Sequence, residues 1–124
     1  MSNLQSHLTM EQLNRMEVIG RIGNASLYKH GETQCVRFSV ATDYVFKGRD
    51  GTPVVETTWH NAVVWEGRNT PDLTLLVRGK CVHLTGRIRQ YKYTTPEGLE
   101  KNLSEIYVTD LEILEDQVTA QCNF

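Results

Sequence analysis

Trp59 and Trp65 stand six residues apart in TTWHNAVVW, an even spacing that turns both rings to one side of an extended chain. Arg87, Arg89, Tyr91 and Tyr93 recur at every second residue of GRIRQYKY, and Phe46-Lys47-Gly48-Arg49 sets a ring and two cations at the start of a turn. Aromatic faces stack on flat π-systems, and Lys and Arg neutralise phosphate. Interleaved, these residue types suit an unpaired nucleic-acid strand, whose bases are exposed and whose backbone is charged. One base–ring stack is worth about 1–3 kcal/mol and is largely indifferent to the base. Candidate backbone contacts are Arg15, Arg21, Arg37, Lys47, Arg49, Arg68, Arg87, Arg89 and Lys92.

Signatures of other chemistry are missing. The sequence has no GxSxG, HExxH or phosphate loop, and no GxGxxG after a strand. His7, His30, His60 and His83 lie far apart without a Cys or carboxylate at ligand spacing, so neither a metal nor another cofactor is expected. Cys35, Cys81 and Cys122 form no CxxC pair and no disulfide framework, and are read as reduced thiols.

These residues need a scaffold. The 124-residue chain fits one domain of ordinary size. It has no apolar run long enough to span a bilayer, and MSNLQSHLTMEQLNR lacks the basic start and apolar stretch of a signal peptide. A cytoplasmic protein is expected. The net charge of -2 conceals an asymmetry: residues 15–93 hold 12 basic against 7 acidic side chains, whereas residues 94–124 hold 1 against 7. A basic body suits a polyanion, although ordinary solvated faces would look the same.

Residues 1–14 read as an arm, 15–114 as the folded domain and 115–124 as a short tail. Alternation predicts five strands. RMEVIGRIG opens the domain, with Gly20 and Gly23 marking bulges or bends. TQCVRFSVAT sets Val36, Phe38 and Val40 opposite Arg37 and Ser39. VVETTWHNAVVW follows. KCVHLTGRIRQYKY sets Val82, Leu84 and Ile88 opposite His83, Thr85, Arg87, Arg89, Tyr91 and Tyr93. LSEIYVTDLEIL closes the set, with a phase change near Asp110. Residues 47–53 and 94–102 read as exposed hairpin loops. In TPDLTLLVRG, Thr70 is the expected N-cap, Pro71 the first helical residue and Gly79 the stop, with Leu73, Leu76 and Val77 as one buried stripe. Five strands with a short helix between the third and fourth is the order of an all-β OB-fold, a Greek-key barrel. Trp59 is as compatible with the core as with an open face. Tyr91 and Tyr93 are expected on a wet face, because the opposite pleat is already apolar and Arg87 and Arg89 are costly to bury.

Taken together, NRMEVIGRIG, VRFSVAT, TTWHNAVVWEG, GKCVHLTGRIRQYKY and EIYVTDLEIL resemble the bacterial-type single-stranded DNA-binding proteins over residues 14 to about 114. The stacking range quoted above comes from proteins of this type. The resemblance implies stacking by Trp59 and by Trp65, with His60 and Val18 at subunit contacts. Phe46 and Tyr93 replace family tryptophans, and Tyr91 replaces an arginine. It further implies a homo-oligomer, a tetramer ahead of a dimer, binding single-stranded DNA in replication, recombination or repair. EDQVTAQCNF has no Gly/Pro/Gln-rich linker and no Pro before the last Phe, which puts recruitment of replication proteins through a tail in doubt. The alternative is a primosomal-type OB-fold adaptor that docks replication proteins, which would have less need of Phe46, Trp59, Trp65 and Tyr93 together.

Overall fold

The computed structural model describes residues 12–114, so the expected tail and all but the last three residues of the expected arm lie outside the described residues. Five strands form a closed barrel: β1 (Met16–His30), β2 (Thr33–Lys47), β3 (Pro53–Trp65), β4 (Cys81–Thr94) and β5 (Glu100–Ile113), in the spatial order β1-β2-β3-β5-β4. Closure comes from two features. β1 pairs with β4 through Met16–Arg21 and with β2 through Arg21–His30, while Ala62–Val64 of β3 run parallel to Ile106–Val108 of β5. This is the OB architecture expected from the strand order.

The barrel is filled by one pleat of each strand. Val18, Ile22, Val36, Phe38, Val40, Ala62, Val64, Val82, Leu84, Ile106, Val108 and Leu111 form the core with Leu73 and Leu76. At about 1.5–3 kcal/mol for each fully buried aliphatic side chain, this interior is the main driving force for folding. Val18 is therefore an interior residue, 4% exposed. Its side chain is enclosed by its own barrel, so only its backbone is left to meet another subunit. Ile88 shares the core pleat but is 37% exposed, because it lies past the region where the strands close.

Two irregularities shape the barrel. Between Ile22 and Ala25, β1 carries one more residue than β2, so Gly23 and Asn24 face Ser39 in a bulge. On β5, Thr109 is the extra residue, since Thr85 pairs with Asp110 and Gly86 with Val108. The burial pattern shifts there from Val108 to Leu111, the phase change legible near Asp110.

β1 is longer than its alternation suggested. NASLYKH continues as strand to His30 because it pairs with Thr33–Phe38 of β2 across the turn at Gly31-Glu32. The expected helix is a single 3-10 turn, Leu73–Leu75. Its cap is Asp72, whose carboxylate accepts from the Thr74 amide at 3.0 Å and hydroxyl at 2.8 Å. Thr70 instead folds back on Gly67. The buried pair Leu73 and Leu76 has the three-residue period of such a turn and plugs the barrel base, leaving Val77 48% exposed. Gly79, at φ 92, gives its amide to the Ile22 carbonyl and leads the chain into β4.

Candidate nucleic-acid interface

Beyond the closed section the sheet continues as two long ribbons. β2 and β3 stay paired out to Lys47 and Pro53, and β4 and β5 out to Thr94 and Glu100. Strict pairing keeps alternate side chains on one pleat, so register decides which candidates share a surface. Arg37 is opposite Val63, Val63 opposite Tyr107, and Tyr107 opposite Arg87. The same pleat carries Trp59 and Trp65 on β3 and Arg89, Tyr91 and Tyr93 on β4. It is the outer pleat, since its neighbours by one residue form the core.

Trp59 is 59% exposed, which removes the core reading of this residue. Its ring lies against Gly23, where a Cβ would collide with the far edge of the indole. The glycine of the β1 bulge thus makes the bed on which this ring rests. Trp65 is half-buried, with the His30 ring at 5.1 Å between centroids. Tyr28 occupies the same row, because it pairs with Cys35 and Cys35 with Trp65. Tyr91 is half-buried and Tyr93 is 42% exposed.

The cations of this pleat are tied to its centre. The Arg87 and Arg89 guanidiniums each lie 5.0 Å from the centroid of the Tyr107 ring, within cation–π distance. Arg37 donates to the Glu105 carboxylate at 2.7 Å, and Arg89 stands 3.5 Å from the other oxygen of that group. Burial works against the Arg37 cation, but Glu105, with the Tyr91 phenol adding to it, outweighs burial and holds its pKa above the ordinary arginine value. A groove of about 360 Å³ runs past Asn24, Arg37, Ser39, Asn61, Tyr91 and Glu105.

The other expected contacts lie elsewhere. Phe46 and Lys92 are on the opposite pleat from Trp59 and Tyr93, so of the expected rings Trp59, Trp65, Tyr91 and Tyr93 share one surface, together with Tyr28 and Tyr107, and Phe46 does not. Phe46 stacks instead on Tyr44, with ring centroids 5.9 Å apart. Lys47 and Arg49 are exposed at the β2–β3 tip, Arg15 is exposed before β1, Arg21 is half-buried on β1, and Arg68 is exposed in the loop after β3. His60 lies on the core pleat near the barrel rim, its Nε2 at 3.0 Å from the Thr42 hydroxyl, and burial lowers its pKa.

Sequence reasoning overlooked Tyr28, His30, Tyr44, Glu105 and Tyr107. Tyr107 follows Glu105 by two residues and faces Arg87 once the strands pair, but only the register shows it. Among the described residues no cluster of three His, Cys, Asp or Glu could hold a metal ion. Cys35 and Cys81 are buried and free, and burial pushes the Cys35 thiol up.

A barrel of this sequence and fold has known counterparts. The pattern of the single-strand binding protein family matches residues 13–114. The chain belongs to that family. The single-stranded DNA-binding protein of Neisseria meningitidis serogroup B is 32% identical over 105 residues, 82% of this chain and 60% of that protein. Single-stranded DNA-binding protein 1 of Xylella fastidiosa is 30% identical over 108 residues, 85% of this chain and 79% of that protein. A Plasmodium falciparum SSB solved in complex with ssDNA matches with a TM-score of 0.71 at 28% identity, over 85% of this chain and 97% of that one. The chain spans about 60% of the length of several of the curated relatives it matches.

Proposed function

We propose that this protein binds single-stranded DNA by stacking bases on Trp59, Trp65, Tyr91 and Tyr93 and neutralising phosphates with Arg37, Arg87 and Arg89. The observation that carries this reading is Trp59: an indole more than half open to solvent, on one pleat with Tyr91, Tyr93 and the guanidiniums of Arg37, Arg87 and Arg89. A large apolar ring kept outside a filled core needs a partner with a flat face, and the flanking cations select a charged one. Phe46 with Tyr44, and Lys47 and Arg49, extend contact along the β2–β3 ribbon. Arg15, Arg21, Arg68 and Lys92 add to the basic surface around it.

Binding accounts for function without any bond being made or broken. A protein that takes up only unpaired strands lowers their free energy and pulls hairpins and duplex ends open by mass action. This suits replication, recombination and repair in the cytoplasm, on nucleoid DNA. We assign the working form as a homo-oligomer, a tetramer ahead of a dimer, with His60 near one contact. No observation favours the adaptor alternative.

Titrating the tryptophan fluorescence with oligo(dT) at several salt concentrations tests the reading. Quenching is expected at low salt, with log K falling by about 0.7 for each phosphate neutralised per unit of log salt. Unchanged fluorescence at low salt, with no shift of a labelled oligonucleotide, refutes it.

A further inference from the structure

Glu105 is 3% exposed, the one buried charged side chain among the described residues, and it sits at the centre of the cationic pleat. One carboxylate oxygen accepts from Arg37 at 2.7 Å. The other has no hydrogen bond, and Arg89 lies 3.5 Å from it. The guanidiniums are not sealed in: Arg37 is 49% and Arg89 41% exposed. Arg87, two residues from Arg89 and over the same Tyr107 ring, has no carboxylate within ion-pair distance among the described residues. An apolar residue would fill position 105 without the desolvation penalty of a carboxylate. The barrel interior does not need the charge either, because Glu105 lies outside the core.

We infer that Glu105 is an internal counter-anion of strand binding. It holds Arg37 and Arg89 in place and commits part of their charge before any phosphate arrives. The inference rests on the single-stranded DNA reading above. A guanidinium has five N–H donors, so an arginine bonded to Glu105 keeps donors for a phosphate, but the phosphate must share it with a carboxylate that cannot move away. The face therefore offers a strand less free charge than its three arginines suggest. Stacking on the rings takes a correspondingly larger share of the affinity. Glu105 is a positioning residue, acting through Arg37 and Arg89.

The salt dependence of oligo(dT) binding by the full chain tests this, since a purely structural role would not move it. Arg87→Gln is expected to reduce the slope of log K against log salt by about 0.7, the value for one phosphate, and Arg89→Gln by clearly less. Glu105→Gln, which keeps an acceptor for Arg37, is expected to steepen the slope and tighten binding at low salt. In that background Arg89→Gln is expected to cost as much as Arg87→Gln. Equal effects of the two arginine substitutions in the native protein, or a Glu105→Gln slope no steeper than native, overturn the inference. Arg87 is exposed and Arg89 half-buried, both outside the core, and the hydrogen bond from Arg37 to Glu105 is kept in either variant, so that comparison decides the matter even if Glu105→Gln fails to fold. Failure of the native protein to bind oligo(dT) overturns the underlying reading as well, an outcome distinct from binding with equal slopes.

Discussion

The bed beneath Trp59 offers a test that separates ring position from ring presence. Replacing Trp59 with Ala removes the most exposed indole of the proposed face, and at about 1–3 kcal/mol per base–ring stack the affinity should fall about 5- to 150-fold. Stability should change little, because the ring is outside the core. Gly23→Ala keeps the tryptophan but adds a Cβ that collides with its six-membered ring, while Ser39 Oγ lies at 3.0 Å on another side. Gly23 has no positive φ, so alanine is not strained by the backbone and its effect is steric. The indole must leave its bed, and binding should weaken in the same direction as in Trp59→Ala. In the double variant the alanine at 23 has no indole to displace, so its effect on binding should vanish. Anisotropy of labelled (dT), (dA) and (dC) oligomers reads the three affinities, with urea melts confirming the fold. Additive losses in the double variant would refute the coupling. A loss confined to one base would replace stacking with edge recognition.

Other expected outcomes concern the scaffold. His83 donates to Glu17 at 2.7 Å and Glu112 at 3.3 Å, and the Glu17 hydrogen bond chiefly raises its pKa above the ordinary 6.5. The same hydrogen bond lowers the Glu17 pKa from 4.5. The His83 contribution is complete below pH 6.5 and is lost as pH rises through its elevated folded value. The Glu17 contribution is complete above 4.5 and is lost as pH falls through its depressed one. The gap in Tm between native protein and His83→Gln should thus be widest between those two pH values and close on the alkaline side, as scanning calorimetry across pH can check. Arg37→Ala takes from the buried Glu105 its hydrogen-bonded partner, leaving Arg89 at 3.5 Å, and should cost about 1–3 kcal/mol, less than breaking a fully buried pair because water reaches the Arg37 side. A lower urea midpoint at unchanged m-value is the readout. Leu84→Ala, at a position 1% exposed in the core, should cost about 2–5 kcal/mol by the same assay.

The chain alone determined the fold class and which residues of the candidate face share a pleat within each strand, because that signal is local. A period of two in VRFSVAT and KCVHLTGRIRQYKY separates core from surface within each strand, and the Thr109 bulge is written as a break in that period. The opposition of Val82 and Leu84 to Arg87, Arg89, Tyr91 and Tyr93 needed no partner strand to be seen. Pairing between distant segments decided the remainder. NASLYKH alternates too weakly to announce a strand and becomes one only against β2. Both pleats of β3 carry large or apolar residues, so whether Trp59 faces in or out waited on which side met Val36, Phe38 and Val40. Phe46 and Trp59 sit on different strands, and only the hairpin register places them on opposite pleats. Glu105 looks in the sequence like any surface glutamate. It becomes a buried counter-anion because barrel closure sets β5 between β3 and β4, so that Arg37 reaches it across β3 from β2, 68 residues away, and Arg89 from the adjacent β4. Alternation is a property of neighbours along the chain, whereas charge pairing and exposure depend on neighbours in space.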